Sequence, residues 1–442
     1  MKRNLWMPAI AVGLSVAVLA GALGLRNVVV PSAACPPDLA GKVTCYTGHD
    51  AGGYYMMAVP ENWNRSLVVY SHGGPDAELD EESVAEDLAE WSVMVEQGYA
   101  WAGSSYRRGG YGVRMAAEDT ESVRKRFTDR FGQPDRTYLH GQSWGGNVAA
   151  KAAETYPDSF DGLLLTSGNV AGGTRAYNHR VDLRAVYQYY CNALPRTPQW
   201  QVPLTLEELN AGLQACTGID SSTRTPGQQR NLDDILAVTG LSAESLPTHL
   251  AYAAFLFQDI VWNRLDGRSP FSNEGVEYHG SHDDAALNAG VERYTADPTA
   301  VRDLSYDSDL TGRIAIPVLT LHAIGDPSVF VESQHAFKAT LTAAGHGGNL
   351  VQTFTTEEEH NELNSAGYAA AIAALDGWVR TGVTPTPQTV ADSCPECPFD
   401  PAFTPGPLES RIAPRAGGTV WPAMSAAQES EWSTLPRVGI AG

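Results

Sequence analysis

The chain has 442 residues, of which 43% are hydrophobic, enough to bury more core than one minimal domain needs. Its formal net charge of −21 argues against nucleic acid and anionic membrane surfaces as partners. The 6 cysteines, Cys35, Cys45, Cys191, Cys216, Cys394 and Cys397, are even in number and suit disulfides in an oxidising compartment.

Residues 1–34 read as a secretory leader. Lys2 and Arg3 form a basic start, Leu5 to Leu25 is uncharged and mostly apolar, and Ser32-Ala33-Ala34 offers a small-residue cleavage site before Cys35. An apolar stretch of about 20 residues also spans a bilayer, so a retained N-terminal membrane anchor is the alternative. Either route delivers the chain outside the cytoplasm. Sequence does not fix the cysteine pairing, and neighbours are the simplest assignment: Cys35 with Cys45, Cys191 with Cys216, Cys394 with Cys397. Cys394-Pro-Glu-Cys397 lacks the second ligand pair that a zinc site needs, and no metal is expected.

Strand and helix patterns alternate from about residue 53 to 168, which argues a parallel sheet covered on both faces. Ser66–Ser71 is an apolar strand running into His72-Gly73-Gly74-Pro75, and Tyr99–Ser104 is a second strand, followed by the loop Ser105–Gly112. Arg136–His140 reads as a buried strand and Asn147–Glu154 as a helix. Between them stands Gly141-Gln142-Ser143-Trp144-Gly145-Gly146, a G-x-S-x-G in strand–turn–helix context. Glycine tolerates the sharp turn, which leaves the Ser143 hydroxyl exposed and aims the Trp144 N–H at a developing oxyanion. Phe160–Gly168 closes this half.

Core elements resume only at about residue 313, and so long an interval is not a loop. Residues 169–312 are therefore assigned to an inserted cap, with helices suggested at Leu204–Cys216, Asn231–Val238 and Thr248–Asn263. The last carries Tyr252, Phe255, Phe257 and Trp262 near helical spacing. Such rings most often pack a core, but Phe255 and Trp262, with Tyr111 from the 105–112 loop, are candidate substrate contacts. Tyr278-His279-Gly-Ser281-His282-Asp283-Asp284 suits a helix start, with Ser281 as N-cap, better than a metal site.

Ile316–His322 is the next strand, and Asp326-Pro327 lies in the turn after it. Asn349–Thr355 follows, and beyond it the single histidine is His360. From about residue 382 the composition shifts to Pro, Ala, Gly and Thr, so 382–442 is expected to wrap the core as an extended tail.

Taken in order, the Gly73-Gly74 loop, Ser143, Asp326 and His360 make residues 50–380 resemble the α/β-hydrolase superfamily. The resemblance implies an α/β fold with a mostly parallel central sheet, helices on both faces and an inserted, mainly helical cap. Its core would be 35–168 and 313–381. It implies Ser143 as nucleophile, His360 as base, Asp326 as its orienting acid, and an oxyanion hole from the amides of Trp144 and Gly73 or Gly74, with no cofactor. The expected activity is extracytoplasmic hydrolysis of a small-molecule or oligomeric carboxylic ester through an acyl-enzyme. His72-Gly-Gly-Pro75 with Ser143-Trp-Gly-Gly146 is also similar to proline iminopeptidases, an aminopeptidase reading with a peptide substrate. That reading would use cap carboxylates to hold an ammonium, with Glu207, Glu208, Asp233, Asp234 and Asp259 as candidates. The loop Ser105–Gly112 is instead similar to secreted esterases and prolyl-oligopeptidase-type hydrolases. A non-catalytic binding protein on the same fold is the third reading.

Overall fold

A computed structural model describes residues 32–50, 53–75, 80–195, 200–361 and 363–408. All but the end of the expected leader lies outside them, as does the tail beyond Leu408. Nine strands form one sheet: β1 (Ser32–Ala33), β2 (Val43–Asp50), β3 (Gly53–Pro60), β4 (Ser66–Ser71), β5 (Ala100–Ser104), β6 (Arg136–Gln142), β7 (Gly162–Thr166), β8 (Val318–Ala323) and β9 (Leu350–Thr355). Their order is β1-β2-β3-β5-β4-β6-β7-β8-β9. β1, β2 and β3 pair antiparallel, β3 meets β5 antiparallel, and every pairing from β5 to β9 is parallel.

The central strands read as continuous apolar runs because both faces are covered. Side chains alternate across a strand, so one run feeds two cores. Leu67, Val69, Leu139, Leu163 and Leu165 enter one core, with α3 (Val113–Phe131) and α4 (Trp144–Thr155) packed over it. Val68, Tyr70, Tyr138, Leu164 and Leu319 enter the other. There they meet α1 (Glu81–Glu90), α2 (Ser92–Glu96) and α12 (Ser365–Thr381). Each such side chain removed from water contributes about 1.5–3 kcal/mol, which pins the register of the strands beneath the site.

Between β7 and β8 the chain leaves the sheet. It forms α5 (Asn178–Cys191), α6 (Leu206–Thr217), α7 (Pro226–Thr239), α8 (Leu246–Ala251), α9 (Asp284–Gly290) and α10 (Pro298–Ser308). Leu183, Tyr187, Leu209, Leu213, Ile235 and Leu250 give this segment an apolar cluster of its own. Cys191–Cys216 joins the ends of α5 and α6, while Cys35–Cys45 and Cys394–Cys397 close the other two neighbour pairs. After β8 come α11 (Ser333–Ala343), then β9 and α12, and α13 (Pro387–Asp392).

Three local expectations need correction. The helix expected over 248–263 is not a uniform α-helix: after α8, Tyr252–Leu256 and Asp259–Arg264 are wound as π-helix, whose wider turns move the rings off a 3.6-residue stripe. Ser281 is not the N-cap of α9; Asp283 is, accepting from Ala286 N, while Ser281 donates to the Asp284 carboxylate. The described part of the tail is not wholly extended, since Thr386 caps α13 and Pro387 opens it at the position where proline costs no helical bond.

His140 on β6 lies fully inside, edge-on to Trp91 at 4.4 Å, with Nε2 2.9 Å from Thr166 Oγ1. Burial pushes its imidazole down to about 3. The unfolded chain therefore binds a proton between the ordinary histidine value and about 3 that the folded chain refuses. This stability is present above pH about 6.5 and is lost as pH falls toward 3, on the order of 5 kcal/mol in all. A series of thermal melts from pH 7 to 4 should show the midpoint falling, with a shallower fall in His140→Gln; equal slopes would contradict this account.

Candidate active site

β6 delivers Ser143 to the carboxyl end of the sheet, and α4 begins at the next residue. Between them Ser143 takes φ 55°, a region that L-residues avoid unless the surroundings impose it. The surroundings do so. The Ser143 N–H donates to Thr166 O at 3.1 Å, and the Ser143 carbonyl accepts from Gly146 N at 3.0 Å and Asn169 N at 2.8 Å. A Cβ on Gly145 would collide with the carbonyls of Ser71 and His72, and one on Gly141 would strike the Gly145 carbonyl. The two glycines of the motif are thus needed for close backbone approach.

Asp326 and His360 arrive from the loops after β8 and β9. His360 Nδ1 lies 2.8 Å from Asp326 Oδ2, and its Nε2 lies 2.8 Å from Ser143 Oγ. An ionised carboxylate only accepts, so the proton sits on Nδ1 and Nε2 faces the hydroxyl as an acceptor. Asp326 also has the turn role its Pro neighbour suggested: Oδ1 accepts from Ser328 N at 2.8 Å and Val329 N at 2.9 Å. Oδ2 makes the shorter contact with the imidazole, while Oδ1, 3.0 Å from the same nitrogen, also accepts the turn N–H groups.

A second imidazole flanks this carboxylate and was missed in the sequence. His322, buried on β8, donates from Nε2 to Val329 O at 2.9 Å, and that nitrogen also lies 3.4 Å from Asp326 Oδ2. Its Nδ1 is 3.1 Å from Gln334 Nε2 and accepts from it. Burial, more than any other influence, lowers its affinity for a proton, so it buttresses the acid loop as a neutral ring. The available signal was its position, four residues before Asp326 at a strand end.

The Gly73 loop reaches the same place. A Cβ on Gly73 would lie 3.8 Å from Ser143 Cβ and 2.9 Å from Gln142 Oε1. Tyr106 donates its hydroxyl to His72 O at 3.0 Å, and His72 Nδ1 is 2.8 Å from the Asp87 carboxylate, so the loop is tied from two sides. Trp144, as the first residue of α4, has an N–H without an acceptor inside the helix, at the positive end of its dipole. Gln142 donates to Asn361 Oδ1 at 2.6 Å and so links β6 to the loop that carries His360.

The other sequence candidates have the following surroundings. Tyr111 is buried, its hydroxyl 2.8 Å from Ser308 Oγ and its ring against Trp144. Phe255 packs against the insert's own cluster, and Trp262 is 38% exposed with its ring beside Gly267. Among the cap acids, Glu208 closes a capping box with Thr205, and Asp233 accepts from Gln229. Asp234 binds His282, and Asp259 accepts from Tyr111 N and pairs with Arg264. Among the described residues, no three His, Cys, Asp or Glu side chains converge as metal ligands would.

A serine at this turn, at the carboxyl end of a sheet of this order, defines an α/β-hydrolase fold. The chain belongs to the tannase-like family of unknown function (DUF6351), whose model matches residues 49–279. That stretch holds the Gly73 loop and Ser143 but ends before Asp326 and His360. The chain is 31% identical over 121 residues to an o-phthalyl amidase of Xanthobacter agilis, covering 27% of this chain and 25% of that protein. It is 24% identical over 191 residues to an uncharacterized esterase of Agrobacterium fabrum, covering 38% of this chain and 33% of that protein. The chain thus spans a third or less of the curated relatives it matches. Among solved structures, an esterase from Aspergillus oryzae aligns with 78% of this chain and 81% of its own, at 15% identity and a TM-score of 0.44. Feruloyl esterase B from the same fungus aligns with 78% and 80%, at 14% identity and a TM-score of 0.42.

Asp326→Asn keeps the turn bonds available but offers His360 an amide in place of a carboxylate. Steady-state assays should find kcat reduced by about 10³–10⁴-fold with the melting temperature nearly kept. A reduction of less than about tenfold would mean that Asp326 only shapes its turn.

Proposed function

We propose that this protein is an extracytoplasmic serine hydrolase that cleaves carboxylic esters through an acyl-enzyme. One observation carries the reading: His360 bridges Ser143 Oγ and the Asp326 carboxylate at 2.8 Å on each side. A hydroxyl is a weak nucleophile until a base within hydrogen-bond reach takes its proton.

In the first step Ser143 Oγ forms a bond to the ester carbonyl carbon while His360 Nε2 takes its proton. The carbonyl oxygen becomes an oxyanion, facing the amides of Trp144 and of Gly73 or Gly74. Asp326 stabilises the imidazolium, which then gives its proton to the departing alkoxide as the ester C–O bond breaks. Water, deprotonated by His360, attacks the acyl-serine, and the second tetrahedral species collapses to the free acid and Ser143. No step requires a cofactor. The apolar leader and three disulfides support a place outside the cytoplasm.

The same steps cleave an amide, and the similarity to an o-phthalyl amidase makes amides the natural comparison. Of the carboxylates named for the aminopeptidase reading, Glu208 caps a helix, Asp233 accepts from Gln229, Asp234 binds His282 and Asp259 holds Tyr111 N and Arg264, while Glu207 is exposed.

The test is initial-rate hydrolysis of a short acyl ester, an aromatic-acid ester, an o-phthalyl amide and an N-terminal prolyl amide by purified protein and by Ser143→Ala. Ester turnover reduced at least about 10³-fold in the variant is expected. Equal rates in both proteins would sink the proposal, and turnover of an amide alone would move the activity to the amidase class.

A further inference from the structure

The insert contributes one charged group whose surroundings do not explain it. Arg180, in α5, is 4% exposed. A guanidinium keeps its charge in a folded protein, so burying one calls for a carboxylate or for several good acceptors. Among the described residues Arg180 has no carboxylate partner. Its hydrogen bonds are long: Nε to His249 Nδ1 and Nη2 to Ser328 O, both at 3.4 Å. His249 brings no negative charge, since its Nε2 lies 3.0 Å from Pro327 O and donates to it, leaving Nδ1 as a neutral acceptor. Two rings cover the cation, Tyr252 at 4.5 Å and Tyr177 at 5.2 Å. The nearby buried arginines are better provided for. Arg264 pairs with Asp259, and Arg184 donates to Ala253 O at 3.0 Å.

Its position gives the missing charge a purpose. Arg180 lines a narrow cavity together with Asn169, Ser328, Val329 and Ser333. The Asn169 N–H holds the Ser143 carbonyl, and the N–H groups of Ser328 and Val329 hold Asp326. Part of the wall is therefore made by the loops that fix Ser143 and Asp326, and the rest by Ala171, Ala176, His179, Phe330 and Leu408. Rings on the cation leave bonding to its in-plane N–H groups, of which Nε and Nη2 turn to His249 and Ser328 and Nη1 makes no hydrogen bond among the described residues. The planar fork of a guanidinium matches the two oxygens of a carboxylate. In a chain of net charge −21, recognition of an anion needs such a local cation, because the overall field opposes it.

We propose that Arg180 is the anion-recognition residue of the substrate site, binding a free carboxylate on the substrate. The preferred substrate class is then the half-ester of a dicarboxylic acid. This rests on the ester-hydrolase reading above and adds the chemical class that the site selects. Tyr177 and Tyr252 hold the guanidinium in place without neutralising it. No carboxylate of the described residues faces the buried guanidinium, and the substrate carboxylate supplies one on binding.

The test compares kcat/KM for 4-nitrophenyl hemiglutarate with that for its methyl-capped diester, using full-length wild type, Arg180→Gln and Arg180→Lys. Wild type should favour the half-ester by at least about tenfold; Arg180→Gln should abolish the preference, and Arg180→Lys should keep part of it. A wild type without preference, or an Arg180→Gln that slows both esters by the same factor, would overturn the proposal and leave Arg180 a structural residue. Turnover of neither ester by wild type would defeat the ester-hydrolase reading itself, and the subsite with it. Should Arg180→Gln not fold, inhibition of wild type by monomethyl glutarate is set against inhibition by dimethyl glutarate. Selective inhibition by the acid, weakened in Arg180→Lys, supports the proposal, and equal or absent inhibition overturns it.

Discussion

The contact between the Gly145 backbone and the carbonyls of Ser71 and His72 is the constraint from which the site follows, because it brings two loops from different strands together. It lets α4 start close enough to β4 that Ser143 must turn at φ 55°, and it sets the Gly73 loop beside the Ser143 side chain. A Cβ there would push the loop and the helix apart. The strain at Ser143 is held by three backbone hydrogen bonds and by strands buried on both faces, so the cost at one residue is met by packing throughout the sheet.

The catalytic geometry then needs little from the insert. Asp326 and His360 come from the loops of β8 and β9, and Gln142 and His322 hold those loops in register. What the insert adds is a roof built partly of charge. His249 and Arg180 contact the acid loop at Pro327 and Ser328, so a segment far away in sequence touches the turn that orients the base. In the proposed function the sheet supplies the chemistry and the insert the selectivity, and the two meet at one loop.

The sheet and the meeting of Ser143, His360 and Asp326 were legible in the sequence because their signals are local. Apolar runs such as Leu67–Tyr70 and Leu163–Leu165 require a strand buried on both sides, and the glycines around Ser143 require a close backbone approach. Other features depend on partners far along the chain. Nothing near Arg180 says that Ser328 lies above it, and nothing near His322 says that Val329 folds back onto its ring. Ser281 failed as a cap for a different reason: Ser281, Asp283 and Asp284 all have suitable oxygens, and only their mutual bonding decides which one meets the helix. The winding of 252–264 was hidden because π-turns leave no pattern distinct from a slightly irregular amphipathic helix.

The central claim is that Ser143 is made nucleophilic by His360 and is the atom that becomes acylated. The most direct measurement is peptide mass spectrometry after exposure of the purified protein to a fluorophosphonate. A single adduct on the peptide bearing Ser143, formed much more slowly in His360→Ala, is the predicted result. An unmodified Ser143, or labelling at an unchanged rate without His360, would contradict the account.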